Sequence, residues 1–204
     1  MMNVRRILGS IAAVLMVSMA TLGAARSEVA DAAMRGDKAA VRTLLAQHAD
    51  VNAPQQDGAT ALHWAVYRGD KELVDALIRA GANVKAANRE GATPLWLASV
   101  NGDATIIAAL TTAGADPNEQ LPLGRTPLMV ASRTGNVEAM KVLLDRGADV
   151  NARASIRKQL TFHDDTSLHE YRDVTPLSWG QRFHAREFVS EAAMRVIADR
   201  GGHA

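Results

Sequence analysis

Apolar residues recur along this chain in short clusters one helical turn apart, separated by polar segments that end in glycine. Leu73, Val74, Leu77 and Ile78 form one cluster. Ile106, Ile107, Leu110 and Thr111 form the next, and Ala139, Met140, Leu143 and Leu144 a third. That spacing gathers side chains on one face, so each cluster predicts a short helix with one buried stripe. A smaller-residue pattern precedes each: Leu62 with Ala65, Leu95 with Ala98, Leu128 with Ala131. Leucine supplies buried area there and alanine permits a close neighbour. The expected fold class is all-α, built from pairs of short helices. Thr111 is the polar exception in its stripe, and predicts that the third unit is a weaker link.

The punctuation between clusters is itself periodic. Gly58-Ala59-Thr60-Ala61-Leu62, Gly91-Ala92-Thr93-Pro94-Leu95 and Gly124-Arg125-Thr126-Pro127-Leu128 place their threonines 33 residues apart. Gly69-Asp70, Gly102-Asp103 and Gly135-Asn136 keep the same interval, as do Gly81-Ala82-Asn83, Gly114-Ala115-Asp116 and Gly147-Ala148-Asp149. A period this long means one supersecondary unit stacked on copies of itself. Each threonine stands where a hydroxyl can accept from an unpaired helix N–H. Pro94 and Pro127 follow at a position where a missing N–H does no harm. Gly69, Gly102 and Gly135 can end the helix in a left-handed conformation.

A 33-residue unit containing Thr-Pro-Leu and closing on Gly-Ala-Asp resembles the ankyrin repeat, two antiparallel helices plus a β-turn. The resemblance covers nearly all of the chain after residue 25. Five units are expected, at about 26–56, 57–89, 90–122, 123–152 and 172–204. In the first, Ser27 aligns with Thr60, Gly36 with Gly69, and Ala40, Val41, Leu44 and Leu45 with the buried stripe. No glycine turn precedes it, which suits a terminal cap. In the last, Thr175-Pro176-Leu177 lies 49 residues after Thr126, so 16 residues have been inserted. Ala193, Met194, Ile197 and Ala198 carry its expected stripe.

The N-terminus has its own pattern. Arg5 and Arg6 precede an apolar run from Ile7 to Leu22, followed by Gly23-Ala24-Ala25. A basic start, an apolar stretch and small residues at its exit read as a secretory signal peptide over 1–25. The run is 16 residues, short of the roughly 20 that a spanning helix needs. The bacterial style of this segment implies export to the periplasm, or secretion. The domain proper is then 26–204. Zero cysteines exclude thiolate metal sites, cysteine nucleophiles and disulfide stapling. Removing Arg5 and Arg6 takes the formal charge from +1 to −1. With no basic patch left, nucleic acid and anionic membranes are not expected partners.

The insertion, 153–171, includes Gln159-Leu160-Thr161-Phe162, whose alternation predicts a partly extended finger. Long loops in compact folds are often functional or disordered. His163, Asp164, Asp165, His169 and Glu170 are valid metal-ligand types, but no HExxH or other metal motif accompanies them. We therefore expect no metal and no cofactor. His63 is a lone helical histidine, and its counterparts are Trp96, Met129 and Ser178. A structural role is expected, since a lone His without an oriented carboxylate is no triad. Trp64, Trp96 and Trp179 read as core or groove packing. No catalytic residue is assigned.

The ankyrin resemblance implies protein binding through a concave surface made of turn tips and first-helix ends. By register these are Gln56 and Asp57, Arg89 and Glu90, Pro122 and Leu123 at the tips. Ala59, Ala92 and Arg125 follow the turn glycines. Tyr67 and Arg68, Val100 and Asn101, Arg133 and Thr134 stand at the helix ends. Tyr67, Arg68, Arg125 and Arg133 are of types enriched in interface hot spots. The expected function is a non-enzymatic, monomeric adaptor of the bacterial envelope that binds an unidentified protein. A secreted effector or inhibitor acting on a host or competitor protein is the alternative. A metal-dependent enzyme using the inserted loop is a third, weaker reading.

Overall fold

The computed structural model describes residues 27–121, 124–157, 170–177 and 191–202. The segment read as a signal peptide and residues 159–162 of the insertion lie outside the described residues.

Helices come in pairs at the expected interval. The first unit holds α1 (Glu28–Arg35) and α2 (Lys38–Ala46). The second holds α3 (Ala61–Tyr67) and α4 (Lys71–Arg79). The third holds α5 (Pro94–Asn101) and α6 (Ala104–Thr112). The fourth holds α7 (Pro127–Thr134) and α8 (Val137–Asp145). These helices are too short to be stable alone in water. What holds them is stacking: α1 packs on α3, α3 on α5 and α5 on α7, while α4 packs on α6 and α6 on α8. Leu62, Leu95 and Leu128 fill one side of the stack. Leu73, Val74 and Leu77, then Ile106, Ile107 and Leu110, then Ala139, Met140 and Leu143, fill the other. All join one core that runs from Val29 to Ile197.

Caps fix where each helix starts. Thr93 and Thr126 accept from the N–H groups of Trp96 and Met129 at 3.1 and 3.3 Å. Second helices are started by aspartate: Asp37, Asp70 and Asp103 accept from Ala40, Leu73 and Ile106. Thr111 sits half-buried, and its hydroxyl donates to the Ile107 carbonyl at 2.8 Å. The hydroxyl is thus satisfied within its own helix. Ile78 and Leu144 pack against the core at the same register, so the third unit lacks one apolar side chain.

The last unit docks through α9 (Glu191–Asp199), which packs on α8. Ala193 and Ile197 are fully buried, and Met194 and Val196 partly so. Ala198, expected in the stripe, is exposed. Thr175 and Leu177 are buried, and the Ser132 hydroxyl donates to the Pro176 carbonyl at 3.0 Å. Helical backbone begins at Pro176, as the register requires.

One short sheet is added to the helical architecture. β1 (Ala154–Arg157) and β2 (Glu170–Val174) pair antiparallel, with Ala154 opposite Val174 and Arg157 opposite Glu170. The extended backbone therefore stands at the base of the insertion, and β2 continues past its expected end at residue 171. Pairing the two ends returns the chain at Thr175 beside the point it left, so the insertion need not disturb the stack.

Side chains also bridge the units. The Asn52 carboxamide donates to Gly81 O at 3.1 Å and accepts from Asn83 N at 2.7 Å. Asn118 repeats this on Gly147 O and Asp149 N at 2.9 and 2.6 Å, and Asn151 donates to Gly201 O at 3.1 Å. Lys85 takes that register position in the second step, from the second unit to the third, and is exposed. Lys85→Asn would place a carboxamide between Gly114 O and Asp116 N. It is expected to add about 1 kcal/mol of stability, measured by urea unfolding. An unchanged or lower midpoint would show that the bridge does not form.

Candidate protein-interaction surface

The turns that join units are built from backbone pairs. Gln55 N donates to Ala59 O at 2.8 Å, Asn88 N to Ala92 O at 3.0 Å and Leu121 N to Arg125 O at 3.0 Å. Asp57 accepts from Ala59 N at 2.9 Å, and Asn88 from Glu90 N and Ala92 N at 3.0 and 2.8 Å. Arg89 N donates to Asp57 O at 2.8 Å, which ties one turn to the next. Backbone bonds thus brace the described tips, and what they present is set by their side chains.

The structure separates the predicted residues into kinds. Tyr67, Arg89, Glu90 and Arg133 are exposed. Val100 and Arg125 are half-buried. The Arg125 Nε and the Trp96 Nε1 are buried with no hydrogen-bond partner among the described residues. Asn101 donates to Val66 O at 3.1 Å and Thr134 to Ala131 O at 3.1 Å, so both side chains satisfy helix-end carbonyls. Arg68 turns back to the first unit: a Cβ added at Gly36 would lie 2.5 Å from its NH2. Pro122 and Leu123 lie outside the described residues.

Sequence reasoning missed how the first unit joins this surface. Trp64 Nε1 donates to Gln55 Oε1 at 2.6 Å, and Gln55 Nε2 donates to Asp31 Oδ1 at 2.6 Å. Ser27 donates to the same Asp31 oxygen at 3.2 Å. Tyr67 meets the Trp64 ring edge-on, centroids 5.9 Å apart and planes at 87°. Among the described residues the exposed large hydrophobics are Tyr67 at 63% and Met34 at 41%. They are 33 residues apart and so stand at one register position on successive first helices. A scan of that position, Met34, Tyr67, Val100 and Arg133, would have revealed the stripe.

His63 is buried between two units. Its Nδ1 accepts from Thr60 N at 3.1 Å and lies 2.9 Å from the Thr60 hydroxyl. Nε2 therefore carries the proton, and it donates to Ala92 O at 3.0 Å. Burial holds its pKa below the ordinary histidine value of 6.5, against the opposing pull of the Ala92 carbonyl and Asp57. Glu119 is a second missed group. It stands where the other units have Ala53, Ala86 and Ala152, and accepts from the Thr93 hydroxyl. Burial raises its pKa, with Asp116 adding to the rise.

No group of three or more His, Asp or Glu side chains is placed to hold a metal among the described residues. His163, Asp164, Asp165 and His169 lie outside them. No described helix is long and apolar enough to cross a membrane.

Residues 29–121 match the family model described as ankyrin repeats in three copies, and residues 123–155 match the ankyrin repeat model. The chain belongs to the ankyrin-repeat family. No curated protein matches it. Ankyrin repeats are generally protein–protein interaction modules, and typically scaffolds rather than enzymes. The family match ends at residue 155, while ankyrin-like packing continues through α9 and the Asn151 bridge.

Proposed function

We propose that this ankyrin-repeat protein is a non-enzymatic adaptor that binds a partner protein along the inner face formed by its turn tips and first-helix ends. The observation that carries this reading is the exposed Met34–Tyr67 stripe, held on locked helices and continued by Val100 and Arg133. Exposed apolar side chains aligned in one row mark an interaction site, and a pre-formed surface reduces the ordering cost of binding. The adaptor works as a monomer in the bacterial envelope. The basic start, apolar run and small exit residues of 1–25 support its export.

The double variant Tyr67→Ala with Arg133→Ala tests the surface. Partner capture from the envelope, followed by mass spectrometry, is expected to fall about tenfold or more. The melting temperature should stay nearly unchanged, because the two groups are exposed. Equal capture, or an unfolded variant, would defeat the assignment. N-terminal sequencing of the exported protein reports the processing directly, and an intact Met1 contradicts cleavage.

A further inference from the structure

We infer that the groove between the second and third units takes a cationic side chain, arginine or lysine, from an extended segment of the partner. This rests on the protein-binding reading above and gives that surface a chemistry. The groove holds about 340 Å³ and is lined by Asp57, His63, Trp64, Tyr67, Asn88 and Leu97 among others. That volume lies at the low end for ligand pockets of about 300–1,000 Å³, and fits one long side chain rather than a folded element.

The lining chooses the charge. Asp57 is the charged lining side chain among the described residues. Its Oδ1 accepts from Ala59 N, and that single bond leaves capacity on the carboxylate for a second donor. Trp64 and Tyr67 bring aromatic rings, which attract cations over their faces. The indole N–H is already given to Gln55 at 2.6 Å, so the Trp64 contribution is its ring rather than a donor. Burial keeps His63 neutral, and both its nitrogens are engaged by Thr60 and Ala92, so it adds no opposing positive charge. Arg68, the nearest arginine in sequence to Tyr67, lies over Gly36 and outside the lining. An apolar or anionic occupant would strip water from Asp57 without replacing its hydrogen bonds, which costs free energy. A guanidinium or ammonium replaces them.

The test uses the full chain and two capped tripeptides, Ac-Ala-Arg-Ala-NH2 and its neutral citrulline isostere. The readout is the Trp64 indole N–H signal in a ¹⁵N spectrum, assigned with Trp64→Phe. The arginine peptide is expected to give a saturable shift at millimolar concentration. The citrulline peptide should bind about tenfold more weakly, a loss in the range of one desolvated cation–π or charge contact. Asp57→Asn should remove the difference. Asparagine keeps the oxygen that Ala59 N uses, as Asn88 does for Ala92 N, and an unchanged melting temperature confirms the fold. Equal response to both peptides overturns the inference, as does discrimination retained in Asp57→Asn. Silence of the indole signal up to about 10 mM, weaker than any useful subsite, overturns it as well. Partner capture by the Tyr67→Ala and Arg133→Ala variant is measured separately. Capture that depends on those residues while the peptide test fails removes the cation site and leaves the adaptor surface standing.

Discussion

Leu110→Ala is expected to cost about 3 kcal/mol, within the range for a fully buried leucine, and to change the shape of unfolding as well as its midpoint. Leu110 lies in α6, in the middle of the stack, and is fully buried. The groove-facing side of α6 adds little packing of its own. Ala108, Ala109, Thr112 and Ala113 are small, and with Ile78 and Arg146 they already line an open groove of about 620 Å³ beside α4. Thr111, one residue on, supplies a back-bonded hydroxyl where the neighbouring units have Ile78 and Leu144. A stack is stabilised by nearest-neighbour interfaces, so weakening the central unit uncouples the two ends. Urea unfolding followed by circular dichroism should broaden or split into two steps. Leu45→Ala is the comparison: Leu45 is half-buried in the terminal unit, and about 1 kcal/mol with a single transition is expected there. A sharp single transition for Leu110→Ala, with a loss below about 1 kcal/mol, would show that the third unit is not the weak point.

The repeat was legible because its framework positions admit few residue types. Gly102 shows why. Its φ is +70°, and a Cβ there would fall 1.6 Å from the Asn136 side chain. Only glycine meets both demands there, and the positive φ alone recurs at Gly69 and Gly135, at +66° and +71°, so the same residue returns at the same interval. Buried leucines and isoleucines return for the same reason, each filling a space that its neighbours define. The interaction surface was less legible. Register told that Asn101 and Thr134 stand at helix ends, but not that their side chains are occupied by Val66 and Ala131 carbonyls. It told nothing of the direction Arg68 takes. The link from Trp64 through Gln55 to Asp31 joins three segments by no fixed spacing, so periodicity does not report it. Ala198 was misplaced because α9 has no following helix among the described residues to cover that side, and a stripe drawn from inner units overstates its burial. The β1–β2 pair closes an insertion, and an insertion has no register to consult.

His63 is where the stack should be most sensitive to a single side chain and to pH. His63→Ala is expected to cost about 2–3 kcal/mol, because it leaves a buried N–H and a buried carbonyl without partners and opens a cavity. Thr60 N would lose its acceptor at 3.1 Å, and Ala92 O its donor at 3.0 Å, so both the start of α3 and the turn of the following unit are affected. Protonation at Nδ1 takes away the acceptor of the Thr60 N–H and sets two donors against each other, while burial penalises the charge. The folded-state pKa is therefore below the unfolded value of about 6.5. Below that value the unfolded chain takes up a proton that the folded chain resists. The stabilising term is complete above about pH 6.5 and is lost as pH falls toward the folded pKa. Melting temperatures at about pH 7.5 and pH 5.5 should differ in the wild type, a window lying above the ordinary carboxylate range. His63→Gln separates the two roles. Glutamine at the third helical position can accept from the Thr60 N–H as in a capping box, yet carries no titratable group. It is expected to keep more stability than His63→Ala and to flatten the difference between the two pH values. A glutamine variant with the wild-type pH dependence would assign that dependence to a group other than His63 and half-buried Glu119. Glu119 has the opposite sign in this respect. Its pKa is raised by burial, so its protonation favours the folded state as pH falls, and it can only mask the loss at His63.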